Sequence, residues 1–119
     1  TLGNVAIYDN TVPYENLRIN SGMLILRANK EYLLPHYLFY LLQTVSIRKQ
    51  FFKLSSGSAQ PQLPIRNLIN INIPIPSLHE QNEVISDFQL HSKFMNSIKE
   101  IIQIYNKKIS DVLNGLILN

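Results

Sequence analysis

The most regular pattern in the sequence is a series of apolar residues in the last part of the chain, spaced alternately four and three positions apart. It covers residues 84–116, about 50 Å of helix at ~1.5 Å per residue, and predicts one long helix with an apolar seam. This length exceeds what the preceding globular part can cover, so we expect a partner helix. The seam residues are Val84, Phe88, His91, Met95, Ile98, Ile102, Tyr105, Ile109, Val112 and Leu116.

Two features qualify that seam. His91 is its polar member, and we interpret it as a register-setting or half-exposed residue rather than a metal ligand. Further apolar residues widen the stripe beyond a two-stranded seam, so the helix is also expected to pack against another protein or against its own globular part. These are Ile85, Phe94, Ile101 and Leu113.

The start of the long helix is marked by Ser77-Leu78-His79-Glu80. A serine followed three positions later by a glutamate is a capping box, in which each side chain accepts a hydrogen bond from the other residue's backbone N–H. The sequence therefore divides into residues 1–76, a small head, and residues 77–119, a long coiled-coil helix.

The head has three segments with strand character. Val5–Tyr8 and the continuous apolar run Met23–Arg27 suit a sheet, and Ile69–Pro76 alternates isoleucine with asparagine or proline, as an edge strand does. Because the chain opens directly on strand-like sequence, we expect it to start inside a sheet. The predicted fold class is α+β, a small mixed α/β head followed by the long helix.

A helix is predicted between the second and third of these segments, with Pro35 in its first turn. Its buried face is marked by Leu38, Leu41, Leu42 and Val45, and its last turns carry Arg48, Lys49 and Lys53. These cations have two interpretations, which the pattern leaves open: they complement the helix dipole, or they bind an anionic partner beside the polar loop that follows.

Charge differs between the two parts of the chain. The net charge is +3, with seven basic and three acidic residues in 1–77 but four basic and five acidic residues in 78–119. A basic head suits an acidic partner such as nucleic acid.

The chain has no cysteine, and its longest apolar run, Tyr37–Leu42, is too short for a bilayer, so we expect a cytoplasmic protein without a membrane segment.

Catalytic signatures are missing from the sequence. It has no phosphate-binding glycine loop, zinc-ligand spacing or nucleophile elbow, and we expect neither cofactor nor metal. A small hydrolase using His36 or His79 is a weak alternative, because both histidines lie near predicted helix starts and no nucleophile has a recognisable setting.

Residues 57–85 carry the most specific pattern in the chain. It consists of Gly57-Ser58-Ala59-Gln60, a leucine-rich step over 63–68, the exit Ile73-Pro74-Ile75-Pro76-Ser77-Leu78, and Glu80-Gln81 at the helix start. In this pattern the chain resembles the specificity subunit of type I restriction-modification enzymes. Ile75 and Ser77 stand where that family usually has leucine and proline, and both residues preserve the extended exit and the cap.

The resemblance extends upstream to about residue 17, where a strand and a Pro-x-Tyr-Leu helix are similar to those of the family. It implies the C-terminal half of a target recognition domain followed by one conserved spacer helix. In that family, recognition domains bind the halves of a split double-stranded DNA site and spacer helices pair antiparallel. Methyltransferase and restriction subunits dock alongside and carry the catalysis, so this chain is expected to bind DNA and not to be an enzyme.

On this basis we expect a DNA-binding surface around the loop after the cationic helix. Glutamine can bind an adenine edge through two hydrogen bonds, and lysine or arginine can contact phosphates. The alternative is that Gln60 and Gln62 only satisfy backbone groups in a turn. The candidate residues are Lys30, Arg48, Lys49, Lys53, Ser58, Gln60, Gln62 and Arg66.

A different class of function also fits the pattern. The chain can be a coiled-coil interaction module whose small α/β head binds protein rather than DNA. That module would self-associate without any salt-sensitive affinity for DNA. Under the resemblance, by contrast, the helix is expected to pair as a homodimer or with the helix of another specificity subunit.

Overall fold

The computed structural model describes residues 2–9, 11–57 and 61–117. Four helices follow one another along the chain: α1 (Pro35–Leu42), α2 (Val45–Leu54), α3 (Ile65–Leu68) and α4 (Leu78–Ile117). The chain divides into two compact units, Thr1–Ile85 and Ser86–Asn119. The first two turns of α4 thus belong to the first unit, and the rest of that helix makes up the described part of the second.

The predicted long C-terminal helix is confirmed, and so is its capping box. The Glu80 carboxylate accepts hydrogen bonds from the Ser77 backbone N–H at 2.9 Å and from the Ser77 hydroxyl at 2.7 Å. The Ser77 hydroxyl oxygen in turn accepts from the Glu80 N–H at 3.3 Å. The N-terminal N–H groups of a helix have no partner within it, so this exchange fixes where α4 begins.

The predicted sheet is not observed. In the described ranges, the β pairing consists of one isolated antiparallel bridge between Ser56 and Gln62. Val5–Tyr8, Met23–Arg27 and Ile69–Pro76 are without regular secondary structure, and large apolar side chains of 23–26 are about half exposed. The prediction of strands there was wrong because apolar runs show only a tendency to extend, whereas a strand also requires a second segment to pair with.

The alternating segment is nevertheless attached to the fold by a side chain. Gln50 on α2 donates from Nε2 to the Asn72 carbonyl at 3.0 Å, and its Oε1 accepts from the Asn72 N–H at 2.9 Å. The glutamine amide thereby substitutes for a neighbouring strand at one residue. Ile71 and Ile73 pack against the core as the alternation predicts, whereas Ile69 and Ile75 are exposed.

The predicted single helix after Pro35 is two helices. Thr44 separates them, since its hydroxyl donates to the Leu41 carbonyl at 2.8 Å and accepts from the Ile47 N–H at 3.4 Å. A threonine at this position caps α2 and competes with continuation of α1. The break also changes the buried face: Leu42 is buried as predicted, but Val45 is 69% exposed.

The core of the first unit lies against the inner side of α2. Leu42, Ile47 and Phe51 form its buried centre, and partly buried residues of the N-terminal segment and of 63–73 surround it. Gly3 has φ +82, and a Cβ there would lie 3.1 Å from the Phe51 ring. The positive φ therefore favours glycine at position 3, and a larger residue there would also press against the Phe51 ring.

Gln81 connects the start of α4 to the rest of the first unit. Its side chain is fully buried, donates to the carbonyls of Tyr32 at 2.7 Å and Pro76 at 2.8 Å, and accepts from the Leu34 N–H at 2.8 Å. Both amide N–H groups are used, so the buried side chain is satisfied by three backbone groups from two separate segments.

Replacing this amide should destabilise the first unit. Gln81→Ala leaves the Tyr32 and Pro76 carbonyls and the Leu34 N–H without the amide, and we expect a loss of about 2–4 kcal/mol in the free energy of unfolding. Urea titration followed by tyrosine fluorescence measures it. Gln89→Ala, an exposed amide on the same helix, is the matched control and should change the value by less than about 0.5 kcal/mol. Equal free energies of unfolding for the two variants would contradict the role of Gln81 in connecting α4 to the rest of the first unit.

The capping box gives the start of α4 a pH dependence. Hydrogen bonds from Ser77 lower the pKa of the Glu80 carboxyl. Because this pKa is lower in the folded chain, the carboxylate's contribution is complete above the ordinary glutamate pKa of about 4.3 and is lost as pH falls through the folded value.

We therefore expect Glu80→Gln, which preserves a capping box, to reduce the loss of stability between about pH 5 and about pH 3. Urea unfolding at a series of pH values measures the slope. Glu100→Gln, an exposed glutamate on the same helix, should leave the wild-type slope unchanged. An unaltered slope in Glu80→Gln would show that the hydrogen bonds to Ser77 do not contribute to stability.

Candidate nucleic-acid interface

Helix α2 presents its three cations to solvent because its other side is fixed in the core. Ile47 and Phe51, one turn apart, are 2% and 6% exposed. Successive residues of a helix are rotated by about 100°, so Lys49 and Lys53 point away from these two anchors, whereas Arg48 lies about 60° from Phe51, at the edge of the exposed side. All three are exposed, and so is Val45, which the sequence pattern had placed on the buried face.

The cations of α2 have no acidic neighbours in sequence. Residues 32–79 contain four basic residues, Arg48, Lys49, Lys53 and Arg66, and no aspartate or glutamate. Over the described parts of the chain, the ion pairs are those of His36 with Asp9 and His79 with Glu83. The outer side of α2 is therefore a positive surface that no carboxylate of the first unit neutralises by direct pairing.

The loop after α2 is closed at its base. Ser56 and Gln62 exchange two backbone hydrogen bonds of 2.9 Å, one in each direction. Gly57 has φ +91, in the region that favours glycine, where the chain enters the loop. Gln62 is exposed, and its side chain makes no hydrogen bond to a described residue. Ser58 and Gln60, the other two candidate loop residues, lie outside the described residues.

Helix α3 follows the loop and contacts the end of α2. The Asn67 side chain donates from Nδ2 to the Leu54 carbonyl at 2.7 Å, which satisfies a carbonyl in the last turn of α2. Arg66, beside Asn67 on α3, is exposed. The end of α2, the closed loop and α3 thus form one local assembly that carries Lys53, Gln62 and Arg66.

Lys30 is in a different part of the first unit. It lies in a turn before α1, in which the Asn29 carbonyl accepts from the N–H groups of Tyr32 and Leu33. The Asn29 side chain also accepts from the Glu31 N–H at 3.1 Å. Lys30 is exposed there, but none of these bonds connects its turn to α2 or α3.

The two histidines considered for catalysis lie in surface ion pairs. His36 contacts Asp9 at 3.3 Å, and His79 contacts Glu83 one turn along α4 at 3.5 Å. Hydrogen bonds from Thr11 lower the pKa of Asp9, and His36 adds to this effect. In the part of the chain that the structure describes, no three histidine, cysteine, aspartate or glutamate side chains group as metal ligands would.

Sequence reasoning missed two glutamines that organise the site. Gln50 holds the 69–76 segment against α2, and Gln81 holds the exit into α4. Tyr37 assists at this exit by donating to the Pro74 carbonyl at 3.2 Å, and burial raises the pKa of its phenol, with a further contribution from Glu80. The sequence contained one signal for Gln81. If the alternating spacing of the apolar seam is continued by three residues before Val84, the next seam position is 81.

The second unit is an exposed helix in the described residues. From Phe88 to Leu116 the large apolar seam residues are 41–70% exposed, and His91 is exposed as well. Val84 is half-buried, but it belongs to the first unit. No described helix of the chain is both long and apolar enough to span a membrane.

Comparison with known proteins yields one family and two relatives. The family model described as type I restriction modification DNA specificity domain matches residues 1–113. The putative type I restriction enzyme MjaX specificity subunit of Methanocaldococcus jannaschii is 32% identical over 117 residues. The MjaVIII specificity subunit of the same organism is 32% identical over 87 residues.

The two alignments differ in extent. They cover 97% and 73% of this chain but only 27% and 18% of the MjaX and MjaVIII subunits. The chain therefore spans about a quarter or less of the length of these relatives. No solved structure is significantly similar to it.

Proposed function

Because the chain belongs to the type I restriction-modification DNA specificity domain family, we propose that it binds one half of a split site in double-stranded DNA. Residues 1–76 form the DNA-recognition part in this proposal, and residues 77–119 form the spacer helix. The role is one of binding and positioning, with methylation and cleavage carried out by other subunits of the system in the cytoplasm.

The observation that carries this proposal is the uncompensated positive surface of α2. Phosphate contacts dominate the affinity of DNA-binding proteins, and they require lysines or arginines that are not already paired. Arg48, Lys49 and Lys53 meet this requirement, and no acidic residue occurs between 32 and 79. Arg66 on α3 and Lys30 in its separate turn are further phosphate contacts in the proposal.

We assign recognition of the DNA bases to the loop beside these cations, which is closed at its base by Ser56 and Gln62. Lysines and arginines that contact phosphates fix position, whereas side chains that reach base edges select sequence. The backbone pairing with Ser56 holds Gln62 at the base of the loop and leaves its side chain exposed. We assign adenine recognition to Gln60 and Gln62, and a supporting hydrogen bond to Ser58.

The exposed seam of α4 is assigned to assembly. A helix with this many exposed apolar residues gains stability by burying them against another helix. We propose that it pairs with the spacer helix of a second recognition unit, in a second copy of this chain or in a longer specificity subunit. The methyltransferase and restriction subunits then dock on the paired helices. A pure protein-interaction module is less favoured, because it would not explain the acid-free cationic surface.

Phosphate contacts and base contacts predict different consequences of mutation. We expect Lys49→Ala to weaken binding to all duplexes several-fold and to reduce the salt slope of the affinity by about one. Gln62→Ala should instead change the selected sequence, because it removes a hydrogen-bonding side chain from a base edge. Selection from a random duplex pool, followed by fluorescence anisotropy at several salt concentrations, measures both effects.

Lys107→Ala is the matched control, an exposed cation on α4, and should change neither affinity nor sequence preference. If Gln62→Ala weakened all sequences uniformly, base reading by this residue would be excluded. If Lys107→Ala lowered affinity as much as Lys49→Ala, the assignment of the surface to α2 would be wrong.

The seam proposal predicts the effect of a buried charge. Ile102→Asp places an unpaired carboxylate in the interface between helices, and we expect it to abolish pairing. Light scattering after size exclusion should show wild-type chain at twice the mass of the variant. Gln103→Asp introduces the same charge one residue later, outside the seam, and should preserve the larger mass. Equal masses for wild type and Ile102→Asp would show that the seam does not pair two copies of this chain.

A further inference from the structure

The outer side of α2 has an apolar centre as well as cations. Phe52 is 58% exposed and Val45 69% exposed, although both belong to the helix that carries the core residues Ile47 and Phe51. Single exposed apolar residues are common on protein surfaces. Two of them on one helical face, opposite its buried side, form a feature that the phosphate contacts of the proposed function do not use.

Helical geometry defines the arrangement of this face. Measured from Ile47 at about 100° per residue, the exposed side chains follow the order Arg48, Phe52, Val45, Lys49, Lys53 around the helix. The two apolar side chains therefore lie between Arg48 on one side and the two lysines on the other. Phe52 is three residues from Lys49 and four from Arg48, separations at which side chains on a helix are neighbours. The face therefore has an apolar middle and a cationic rim.

This combination matches the chemistry of a DNA major groove. The groove is about 12 Å wide and admits a helix, with phosphates along both edges and thymine methyl groups on its floor. Cations at the sides of a helix can contact the phosphates while an apolar side chain between them reaches a methyl group. The missing carboxylates matter here, because an acidic residue on this face would be repelled by the phosphates.

We propose that α2 enters the major groove and that Phe52 is a specificity-determining residue that contacts the 5-methyl group of a thymine. The inference rests on the proposed function and deepens it, since it adds an apolar base contact to the polar ones of the loop. Val45 lies seven residues, about two turns, before Phe52 on the same face. It extends the apolar surface along the groove.

Deoxyuridine lacks only the methyl group of thymine and therefore tests this contact directly. A duplex sequence is first selected from a random pool with the wild-type chain, and each thymine of the selected site is then replaced in turn by deoxyuridine. We expect replacement at one position to weaken wild-type binding about fourfold, the effect of losing one buried methyl group. Phe52→Ala should bind the thymine and deoxyuridine forms of that duplex equally.

Two further variants separate the contact from general effects on folding. Ile69→Ala removes an apolar side chain that is 85% exposed and lies outside α2, and it should preserve the wild-type preference for thymine. Phe52→Leu retains an apolar side chain and should retain part of that preference. The far-ultraviolet circular dichroism and melting temperature of all three variants should match those of the wild type, because both positions are exposed.

The outcomes distinguish failure of this inference from failure of the proposed function. Wild-type chain that binds the selected duplex with Lys49-dependent affinity, but binds every deoxyuridine form equally well, would overturn the thymine contact and leave DNA binding intact. A thymine preference that survives in Phe52→Ala would assign the contact to another residue and overturn the inference too. Wild-type chain without salt-sensitive affinity for any duplex would overturn both proposals.

Discussion

The side-chain amide of Gln81 is the contact on which the arrangement of the first unit depends. Among the described residues, Gln81 is the one polar residue whose side chain is buried. It forms hydrogen bonds with backbone groups before α1 and with a backbone carbonyl in the exit before α4. A buried amide is tolerated only when its hydrogen-bonding groups are satisfied, so both segments must be in place for either to be stable. The capping box fixes where α4 begins, and Gln81 fixes what that beginning is attached to.

Side-chain amides in the first unit do what a sheet does in α+β domains. Gln50 binds both backbone groups of Asn72, Asn67 binds the last turn of α2, and Gln81 joins segments about fifty positions apart in sequence. Gln50 and Gln81 both donate and accept, so each can complete extended backbone that has no strand beside it. The core around Ile47 and Phe51 is thereby covered by segments without regular secondary structure as well as by α1 and α3.

The sequence predicted features that depend on neighbours in the chain. The capping box of Ser77 and Glu80 and the start of the first helix at Pro35 follow from local chemistry, and local chemistry was sufficient for them. The break at Thr44 also depends on local chemistry, but it was not predicted. The apolar pattern continues across Thr44, and that pattern gave no indication that its side chain caps a new helix. The strands failed because pairing is a property of two segments, and the run at 23–27 has no partner segment within the described ranges.

The same distinction explains what could be predicted of the candidate site. The cations and the loop glutamines could be selected from sequence, because charge and hydrogen-bonding capacity belong to single residues. The roles of Gln50 and Gln81 could not, since an amide in a helix gives no sign of which distant backbone it will bind. The exposure of Phe52 could not be predicted from the sequence either. It depends on which side of α2 packs into the core, and Ile47 and Phe51 determine that side.

The closure of the loop by Ser56 and Gln62 has a consequence for how such a domain can diversify. The two hydrogen bonds at its base are made entirely by backbone groups, so they place no demand on the side chains of the residues they enclose. Gly57, with its positive φ, is a described position in this loop at which the backbone itself restricts the residue. Substitutions between Ser56 and Gln62 that keep Gly57 are therefore compatible with the hydrogen-bonded base of the loop.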